Sequence, residues 1–341
     1  MHVLHLVGAT TTRFYAELSE SYARNCVRPA GTAHSTLSVA PSGEMLWTGA
    51  DGAALPVDLG GAARRAAACD VVVPHMFCPT GMTTWRALME DVMGLPVVGP
   101  HASSIAVATS KWATKALARA EGVATPEALR LGGASGEAAP PCPPLPCIVK
   151  PDDEDNSIGL TLLRDPAGWE AARDAALAAS GHALAEAYVP GREVRVGVLD
   201  DGRPRVLPVL EYHVTDDHPI RERADKVHVS DAGSVTMQSW ERPSLATSCP
   251  AALSPETADA LERAALTMHR ALGCRDYSLY DFRIDPEGRP WLLEACIFWT
   301  FTPISVISRM LEAEGAELAC TALSVWSRAA DRRPRAPLAA E

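Results

Sequence analysis

The chain has 341 residues, and its formal net charge of -11 reflects 42 acidic against 31 basic side chains. This balance disfavours binding to a phosphate backbone, so nucleic acid is not an expected partner. Long polar and single-residue tracts are lacking, which indicates a folded protein of two or three domains rather than a disordered one.

The cysteines and the apolar segments predict the cellular compartment. Nine cysteines, an odd number, occur in a chain too long to need disulfide staples, which favours the reducing cytoplasm. The N-terminal residues lack a signal-peptide pattern and no run approaches 18 apolar residues, so neither export nor a membrane span is expected. Cys142 and Cys147 lack a partner cluster at zinc-ligand spacing and are expected to be incidental thiols in a loop.

The first hundred residues alternate between strand and helix patterns. Strands are predicted by the apolar runs HVLHLVG (2–8), CDVVVPHMF (69–77) and LPVVG (95–99). Helices are predicted by FYAELSESYARNCV and by TTWRALMEDVM (83–93). Strand–helix–strand order favours a parallel sheet covered by helices. The stretch STLSVAPSGEMLWTG predicts a hairpin or an irregular insertion.

The middle of the chain predicts a helix followed by strands. SKWATKALARAEG (110–122) has apolar residues at helical spacing and stops at Gly122, and the Gly-, Ala- and Pro-rich segment 131–147 predicts a surface loop. The strands CIVKP and TLLRD flank a polar turn containing Gly159, as in a hairpin. Further strands are predicted over 183–213, and 214–249 predicts a long functional or mobile loop.

A helix over 254–273, a hairpin over 277–297 and a last helix from about Ile304 to Ala330 complete the chain. The hairpin carries Asp281 and Glu294 in otherwise apolar strands. A four-residue turn over 285–288 would pair Asp281 with Leu292 and place both acids and Arg283 on one face.

On that register the two acids are diagonal neighbours, with Cβ atoms roughly 7–8 Å apart. At that reach two carboxylates can hold Mg²⁺. A one-residue bulge would turn one acid to the opposite face. The alternative is a half-exposed hairpin with ion pairs between the acids and Arg283.

Four segments resemble, in their order and spacing, the ATP-grasp carboxylate–amine ligases of the D-alanine–D-alanine ligase-like branch. They are GLPVVGPHASSIAVATSKWATKALARAEGVATPEA, CIVKPDDEDNSIG, LAEAYVPGREVRVGVL and SLYDFRIDPEGRPWLLEA. The resemblance implies an α/β (α+β) ATP-grasp fold, in which two α+β subdomains clasp ATP. The implied divisions are an N-terminal parallel α/β domain (1–102), a central ATP-grasp subdomain (103–190) and a C-terminal ATP-grasp subdomain with the magnesium site (191–341).

Site residues follow from the resemblance by position. The implied nucleotide ligands are Lys111 and Lys150 at the phosphates, Asn156, Ser157 and Gly159 in a loop that closes over them, Glu186, Tyr188 and Val189 at the adenine edge, and Glu193 at the ribose. Lys226, in the 214–249 loop, is implied to reach the terminal phosphate. Asp281 and Glu294 fall on the ligands of Mg²⁺, for which Mn²⁺ can substitute. Solvated lysines, a plain turn and surface glutamates are the alternatives.

Several positions depart from the pattern of this branch. Cys296 stands where the family has an Asn as a further magnesium ligand, and a thiol is a soft group that suits Mg²⁺ poorly. Leu279 stands where D-alanine ligases carry an arginine that stabilises an oxyanion, and Arg283 is the candidate to replace it. The N-terminal signature that recognises the first D-alanine is missing. His75 and Trp85 are candidates for the amino-acid pocket or for the structural core.

The resemblance implies that ATP phosphorylates a carboxylate and that an amine then displaces phosphate to form an amide. Because of the departures, the predicted substrates are small-molecule amino acids other than D-alanine, including glutamate or a non-standard amino acid. The predicted setting is dipeptide synthesis in specialised metabolism such as antibiotic biosynthesis. The alternatives are a D-alanine–D-alanine ligase, an intramolecular cyclo-ligase and a degenerate ATP-binding regulatory protein. A homodimer is one expected form, as in related ligases.

Overall fold

The structure is a computed structural model, and it describes residues 1–132, 140–154, 157–225, 227–229, 235–237 and 245–332. Two of the predicted site residues, Asn156 and Lys226, lie outside the described residues. Three sheets of four to six strands and a two-stranded ribbon hold the strands.

The first sheet has the strand order β4-β3-β2-β1-β5. Its strands are β1 (His2–Gly8), β2 (Ala33–Val39), β3 (Met45–Thr48), β4 (Ala54–Val57) and β5 (Val71–Pro74). β1 runs parallel to β5, as predicted, and also to β2. β2 and β3 form the predicted hairpin, and β3 and β4 are antiparallel additions at one edge. The predicted strand 95–99 is wrong, because that segment meets the sheet only at a parallel bridge between Val72 and Val97.

Helices flank this sheet. They are α1 (Arg13–Asn25), α2 (Leu59–Ala66) and a helical segment with π-helical turns over Gly81–Trp85 and Leu88–Val92. Thr12 begins α1 by accepting a hydrogen bond from the backbone N–H of Tyr15. Leu18 and Ala16 of α1 are buried, so one face of this helix supplies side chains to the core.

The second sheet is antiparallel, in the order β6-β9-β7-β8. Its strands are β6 (Ala128–Leu131), β7 (Cys147–Pro151), β8 (Thr161–Leu163) and β9 (Ala183–Ala187). The helices α3 (Ala102–Thr109) and α4 (Lys111–Ala120) precede β6 in the chain and contact the later strand Pro290–Ala295. Helix α5 (Trp169–Ser180) packs on the second sheet and follows a short 3₁₀ turn over Pro166–Gly168. The predicted hairpin around Gly159 and the predicted helix ending near Gly122 are confirmed.

The third sheet runs in the order β15-β12-β10-β16-β17, with β11 paired to β10. The remaining strands are β10 (Arg192–Asp200), β11 (Pro204–Val206), β12 (Leu210–Tyr212), β13 (Val227–Val229), β14 (Val235–Met237), β15 (Thr247–Ser248), β16 (Tyr277–Ile284) and β17 (Pro290–Ala295). β13 and β14 form the separate ribbon, inside the segment predicted as a loop.

Three helices complete the fold: α6 (Pro255–Ala271), α7 (Val306–Ala313) and α8 (Leu318–Ala330). Ser254 accepts a hydrogen bond from the N–H of Thr257 at the start of α6, which confirms the predicted helix. The single last helix predicted from Ile304 to Ala330 is wrong. Gly315, at a φ of +78°, lies between α7 and α8, where an α-helix cannot continue.

The second and third sheets are joined by residues 188–191, directly after β9. Gly191 has a φ of +112°, and a Cβ atom there would lie 2.2 Å from the carbonyl oxygen of Ile284. The close approach therefore requires glycine at this point. This approach places the residues that follow β9 beside the end of β16, where Arg283 contacts Tyr188 and Val189. Residues of both sheets line one cleft.

Candidate nucleotide and magnesium site

A cleft of about 740 Å³, including its open mouth, lies between the second and third sheets. The predicted site residues that line it are Lys111, Lys150, Ser157, Glu186, Tyr188, Val189, Glu193, Asp281, Arg283 and Glu294. Gly159 is not among its lining residues, and Cys296 lines a neighbouring pocket instead. The fold thus brings together residues that are up to 183 positions apart in the sequence, since 294 minus 111 is 183.

The two acids lie directly opposite each other on β16 and β17. Asp281 pairs with Glu294, whereas Phe282 pairs with Leu292. The predicted pairing of Asp281 with Leu292 is therefore wrong, and Leu292 is fully buried on the core side with Phe282. The diagonal arrangement predicted from the turn is replaced by a closer, direct cross-strand pair.

A β-bulge is what places Glu294 in the cleft. The register shifts by one residue beside Asp281 and Phe282, and Leu293 is the extra residue on β17. If the pairing near the turn continued without the bulge, Asp281 would face Leu293 and Glu294 would point to the core beside Tyr280. The bulge, expected from the sequence to separate the acids, is the feature that unites them.

Arginines from two other segments contact Asp281. Arg195 pairs with Asp281 across β10 and β16, and its Nε lies 2.6 Å from Oδ1. Nη2 of Arg221 donates to Oδ2 at 2.9 Å, and Nε of Arg221 also contacts Glu193. Burial lowers the pKa of Arg195, but the carboxylate of Asp281 outweighs burial and the pKa stays raised well above its ordinary value.

The acid pair has the donor chemistry that Mg²⁺ prefers, because both ligands are hard carboxylate oxygens on facing strands. An ion at Asp281 would share or displace its contacts with Arg195 and Arg221. Cys296 follows two residues after Glu294, and its thiol is a soft group. Its assignment as a magnesium ligand remains a prediction.

Three lysines surround a buried glutamate and the acid pair. Lys150 and Lys115 each place Nζ 2.6 Å from an oxygen of Glu186. Lys111 donates to the carbonyl of Glu154 at 2.6 Å, and its Nζ lies 3.8 Å from Glu294. The phosphate-facing position predicted for Lys111 and Lys150 is consistent with this cluster of positive charge.

Charge is retained at Glu186 and Lys150 in spite of burial. Burial raises the pKa of Glu186, but Lys150 and Lys115 outweigh it, so the pKa is lowered. Burial lowers the pKa of Lys150, but Glu186 and Glu294 outweigh it, so the pKa is raised. At Lys115 burial dominates and lowers the pKa to about 8.

Sequence reasoning missed Lys115, although a signal was present. The whole chain has four lysines, at positions 111, 115, 150 and 226, so arginine supplies the other 27 of its 31 basic side chains. Three of the four lysines were assigned to the site. Lysine differs from arginine in offering a compact charge on a flexible stem, and its restriction to one region indicates that Lys115 belongs there too.

The end of the cleft that is predicted to hold adenine is lined by the end of β9 and the residues after it. Nη2 of Arg283 donates to the hydroxyl of Tyr188 at 2.9 Å and to the carbonyl of Pro219 at 2.7 Å, and Nε donates to the carbonyl of Val189 at 3.1 Å. Arg283 also lies 3.5 Å from Glu193. These contacts place its guanidinium on the segment assigned to adenine, while Arg195 and Arg221 are the arginines on Asp281.

Two segments meet over the cleft. Ser157, at a φ of +57°, donates a hydrogen bond from Oγ to the carbonyl of Arg221 at 2.8 Å. Gly159 has a φ of +67°, and a Cβ atom there would meet Pro151 at 2.9 Å. Ser157 belongs to the 152–159 turn, and Arg221 belongs to the predicted 214–249 loop; these two segments are the candidate lids of the cleft. The hydrogen bond between Ser157 and Arg221 joins the described parts of the two candidate lids.

An apolar pocket adjoins the cleft at Lys111 and Glu294, which line both. Its walls include Phe77, Met82, Ile105, Ile297 and Phe298. His75, a candidate for an amino-acid pocket, lies elsewhere: it is fully buried and bonded to His5. Trp85 packs with the first sheet's core.

The family model described as D-ala D-ala ligase C-terminus matches residues 143–320. This span contains all the lining residues of the cleft except Lys111, including both acids. The chain belongs to the D-alanine–D-alanine ligase family. The matched span also includes Leu279 and Cys296, the two positions that the resemblance predicts to depart from the pattern of this branch.

Curated relatives in this family are similar over about three quarters of the chain. A D-alanine–D-alanine ligase of Chlorobium limicola is 30% identical over 266 residues, which are 74% of this chain and 68% of the relative. A D-alanine–D-alanine ligase of Synechococcus sp. is 27% identical over 277 residues, covering 73% of this chain and 77% of the relative.

A solved structure extends the similarity of fold to nearly the whole chain. The D-alanine–D-alanine ligase of Coxiella burnetii superposes with a TM-score of 0.76 at 19% identity, covering 98% of this chain and 94% of that one. The predicted ATP-grasp fold is thereby confirmed. As a member of this ligase family, the chain is an ATP-dependent carboxylate–amine ligase. Every helix in the described part of the chain is too short or too polar to span a membrane.

Proposed function

We propose that the protein joins the carboxylate of one amino acid to the amine of another with consumption of ATP, and that D-alanine is a substrate. The names of the relatives support D-alanine over the predicted glutamate or non-standard amino acid. The observation that carries the ligase proposal is the direct pair of Asp281 and Glu294, surrounded by Lys111, Lys150 and Arg195.

The chain's own residues fit two successive steps. The substrate carboxylate oxygen attacks the terminal phosphorus of ATP, ADP leaves, and an acyl phosphate forms. The amine then attacks the acyl carbon, phosphate leaves, and the ammonium proton is released. Lys111 and Lys150 bind and orient the phosphates as point charges. Asp281 and Glu294 would hold Mg²⁺, which neutralises charge on the phosphates when bound.

Arg195 and Arg221 are placed to balance charge at the acid pair when the negative nucleotide enters, because both already contact Asp281. The contact between Ser157 and the carbonyl of Arg221 holds the two lid segments together. Joined lids exclude water from the acyl phosphate, which water would otherwise hydrolyse.

The division into 1–102, 103–190 and 191–341 is part of this proposal. It is supported by the three sheets, whose strands fall within residues 2–74, 128–187 and 192–295. On this division the nucleotide lies between the second and third units, and the first unit contributes Phe77 and Met82 to the adjoining pocket.

A second candidate is a ligase for an amino acid with a larger apolar side chain, of the kind used in specialised metabolism. The apolar pocket beside Glu294 favours it, because Phe77, Met82 and Phe298 offer more contact area than a methyl group needs. Leu279, where an arginine is expected in D-alanine ligases, also favours it.

An ADP-release assay with Mg²⁺ and a panel of D- and L-amino acids, followed by mass spectrometry of the products, tests both candidates. We expect ADP release that depends on D-alanine and yields D-alanyl-D-alanine. Faster turnover with a bulky apolar amino acid would favour the second candidate. Nucleotide binding without ADP release on any pair would contradict both. Glu294→Gln, which neutralises one acid of the pair, should lower ADP release. Glu287→Gln, on the exposed turn of the same hairpin, is its matched control.

A further inference from the structure

A second group of ligand-bearing side chains lies in the first domain, outside the nucleotide cleft. His5 on β1, Cys26 at the end of α1 and His75 after β5 are all buried, and each can offer one ligand atom so that all three atoms lie within 4.8 Å of one another. None of the three lines the cleft or the apolar pocket beside it. The proposed ligase reaction does not use them.

A chain of hydrogen bonds orients His5. Thr32 donates its hydroxyl proton to the carbonyl of Pro29, so Thr32 accepts from Nε2 of His34 at 2.7 Å. Nδ1 of His34 then accepts from Nε2 of His5 at 2.8 Å. With its proton on Nε2, His5 presents a lone pair at Nδ1, 2.9 Å from Nε2 of His75.

This pattern matches the surroundings of metal-bound histidines. A ligating imidazole typically donates its other ring N–H to an acceptor, which sets its tautomer and orientation. His34 is that acceptor for His5. On the other side, Nδ1 of His75 is buried and has no hydrogen-bond partner among the described residues. This Nδ1 can therefore take the proton that an ion at Nε2 would displace.

We propose that His5, Cys26 and His75 form a site for a thiophilic transition-metal ion of the Zn²⁺ class. Zn–N bonds of roughly 2.0 Å and Zn–S bonds of roughly 2.3 Å put the nitrogen and sulfur ligand atoms of a tetrahedral site roughly 3.3–3.5 Å apart. Ligand atoms that lie within 4.8 Å of one another need a shift of at most about 1.3 Å to meet these values. Three protein ligands leave one coordination position open.

Proton balance is simple at this site. The ion takes the place of the proton between His5 and His75, and that proton moves to the partnerless Nδ1 of His75. The thiol of Cys26, which donates to the carbonyl of Val27 at 3.5 Å, releases its proton to solvent and binds as thiolate.

Access and charge set limits on the ion. His34 is half-buried and forms the solvent side of the hydrogen-bond chain, which offers an entry path. Arg28 is exposed and close enough to lower the pKa of His5, His34 and His75. Its positive charge also opposes a bound cation, so the Cys26 thiolate is needed for compensation.

The bound ion would join three elements of the first domain, and Trp326 of α8 lies edge-on against His5 with ring centroids 6.4 Å apart. Metal binding at this point should therefore stabilise the packing of α8 on the first sheet. In the competing interpretation, the histidines are a neutral hydrogen-bond network that binds no metal.

Titration of the full-length, chelator-treated protein with Co²⁺, in the absence of nucleotide, separates the two interpretations. We expect a thiolate-to-cobalt charge-transfer band that saturates at one equivalent, together with competitive displacement by Zn²⁺ and a higher unfolding midpoint. Wild-type protein that shows no such band overturns the proposal without any variant.

Variants locate the site. Cys26→Ser should abolish the charge-transfer band, and His34→Gln should weaken binding about 10–100-fold while the band remains. Arg28→Ala should tighten binding. Cys69→Ser, at another buried cysteine of the same domain, is the matched control and should bind as wild type does. A band that survives Cys26→Ser but disappears in Cys296→Ser would assign the thiolate to the nucleotide side and overturn the proposal.

Discussion

Two buried groups of ionisable side chains respond to burial in opposite ways. In the cleft, Glu186 and Lys150 stay charged because their carboxylate and ammonium groups face each other 2.6 Å apart. Around the first sheet, burial lowers the pKa of His5 and His75, and the positive Arg28 lowers both further instead of offsetting burial. Burial penalises charge in both places, and the neighbouring charge decides whether it is retained.

The comparison shows which change in charge each region responds to. A charged network in a low-dielectric cleft is damaged most when one partner is neutralised, because the other charge is left buried without compensation. A neutral imidazole chain is instead prepared for an added positive ion. The four predictions below test the charged network of the cleft and the segments that cover it, in order of decreasing expected effect.

Neutralising Asp281 should have the largest effect. Asp281→Asn leaves Arg195 and Arg221 without their shared carboxylate, so the free energy of unfolding should fall by about 3–5 kcal/mol. ADP formation should fall by at least about 100-fold. Urea unfolding and the ADP assay measure the two effects. Glu287→Gln should change neither, and an active Asp281→Asn would refute the role of the acid pair.

Removing the bulge should be the next most damaging change. Deletion of Leu293 restores the regular register of β16 and β17, which turns Glu294 toward the core and away from Asp281. Activity should fall by at least about 100-fold. Leu293→Ala keeps the residue count and should retain most activity. The ratio of the activities of the two variants therefore measures how much the bulge contributes to activity. Equal activities would show that register is unimportant.

Lys115 sharpens the comparison, because it belongs to the charged network and yet burial has the larger effect on its pKa and lowers it. Its pKa of about 8 is below the ordinary 10.5, so between these pH values the unfolded chain binds one more proton than the folded chain. Wild-type stability should therefore rise with pH across that window relative to Lys115→Met, by on the order of 3 kcal/mol. Urea unfolding of both proteins at pH 7.5, 9 and 10.5 measures this difference. If the stability of the wild type relative to Lys115→Met fell as the pH rose, the lowered pKa of Lys115 would be refuted.

The lid contact should have the smallest effect. Ser157→Ala removes one hydrogen bond to the carbonyl of Arg221, which contributes about 0.5–1.5 kcal/mol. We expect a few-fold increase in KM for ATP and more ATP hydrolysis in the absence of amine. Ser42→Ala, which removes an exposed hydroxyl bonded to Glu44, is the control. An unchanged ratio of hydrolysis to ligation would show that this contact does not hold the lid.

Much of the architecture was predictable because local patterns decide it. The helix after Ser110, the hairpin at Gly159 and the helix after Ser254 all carry capping or turn residues that act within a few positions. The prediction failed at Gly315, where helical periodicity on both sides concealed a break. It also failed at 95–99, where an apolar run alone did not distinguish a strand from a single bridge.

The sequence by itself determined most of the elements, the family and the residue types of the site, since propensities, turn chemistry and the restricted use of lysine are local or compositional. Only the tertiary structure decided the pairing of Asp281 with Glu294 through a bulge, the contact of Arg195 with an acid 86 positions away, and the meeting of His5, Cys26 and His75. These depend on strand register and on the packing of distant segments, in which a shift of one residue reverses every side chain.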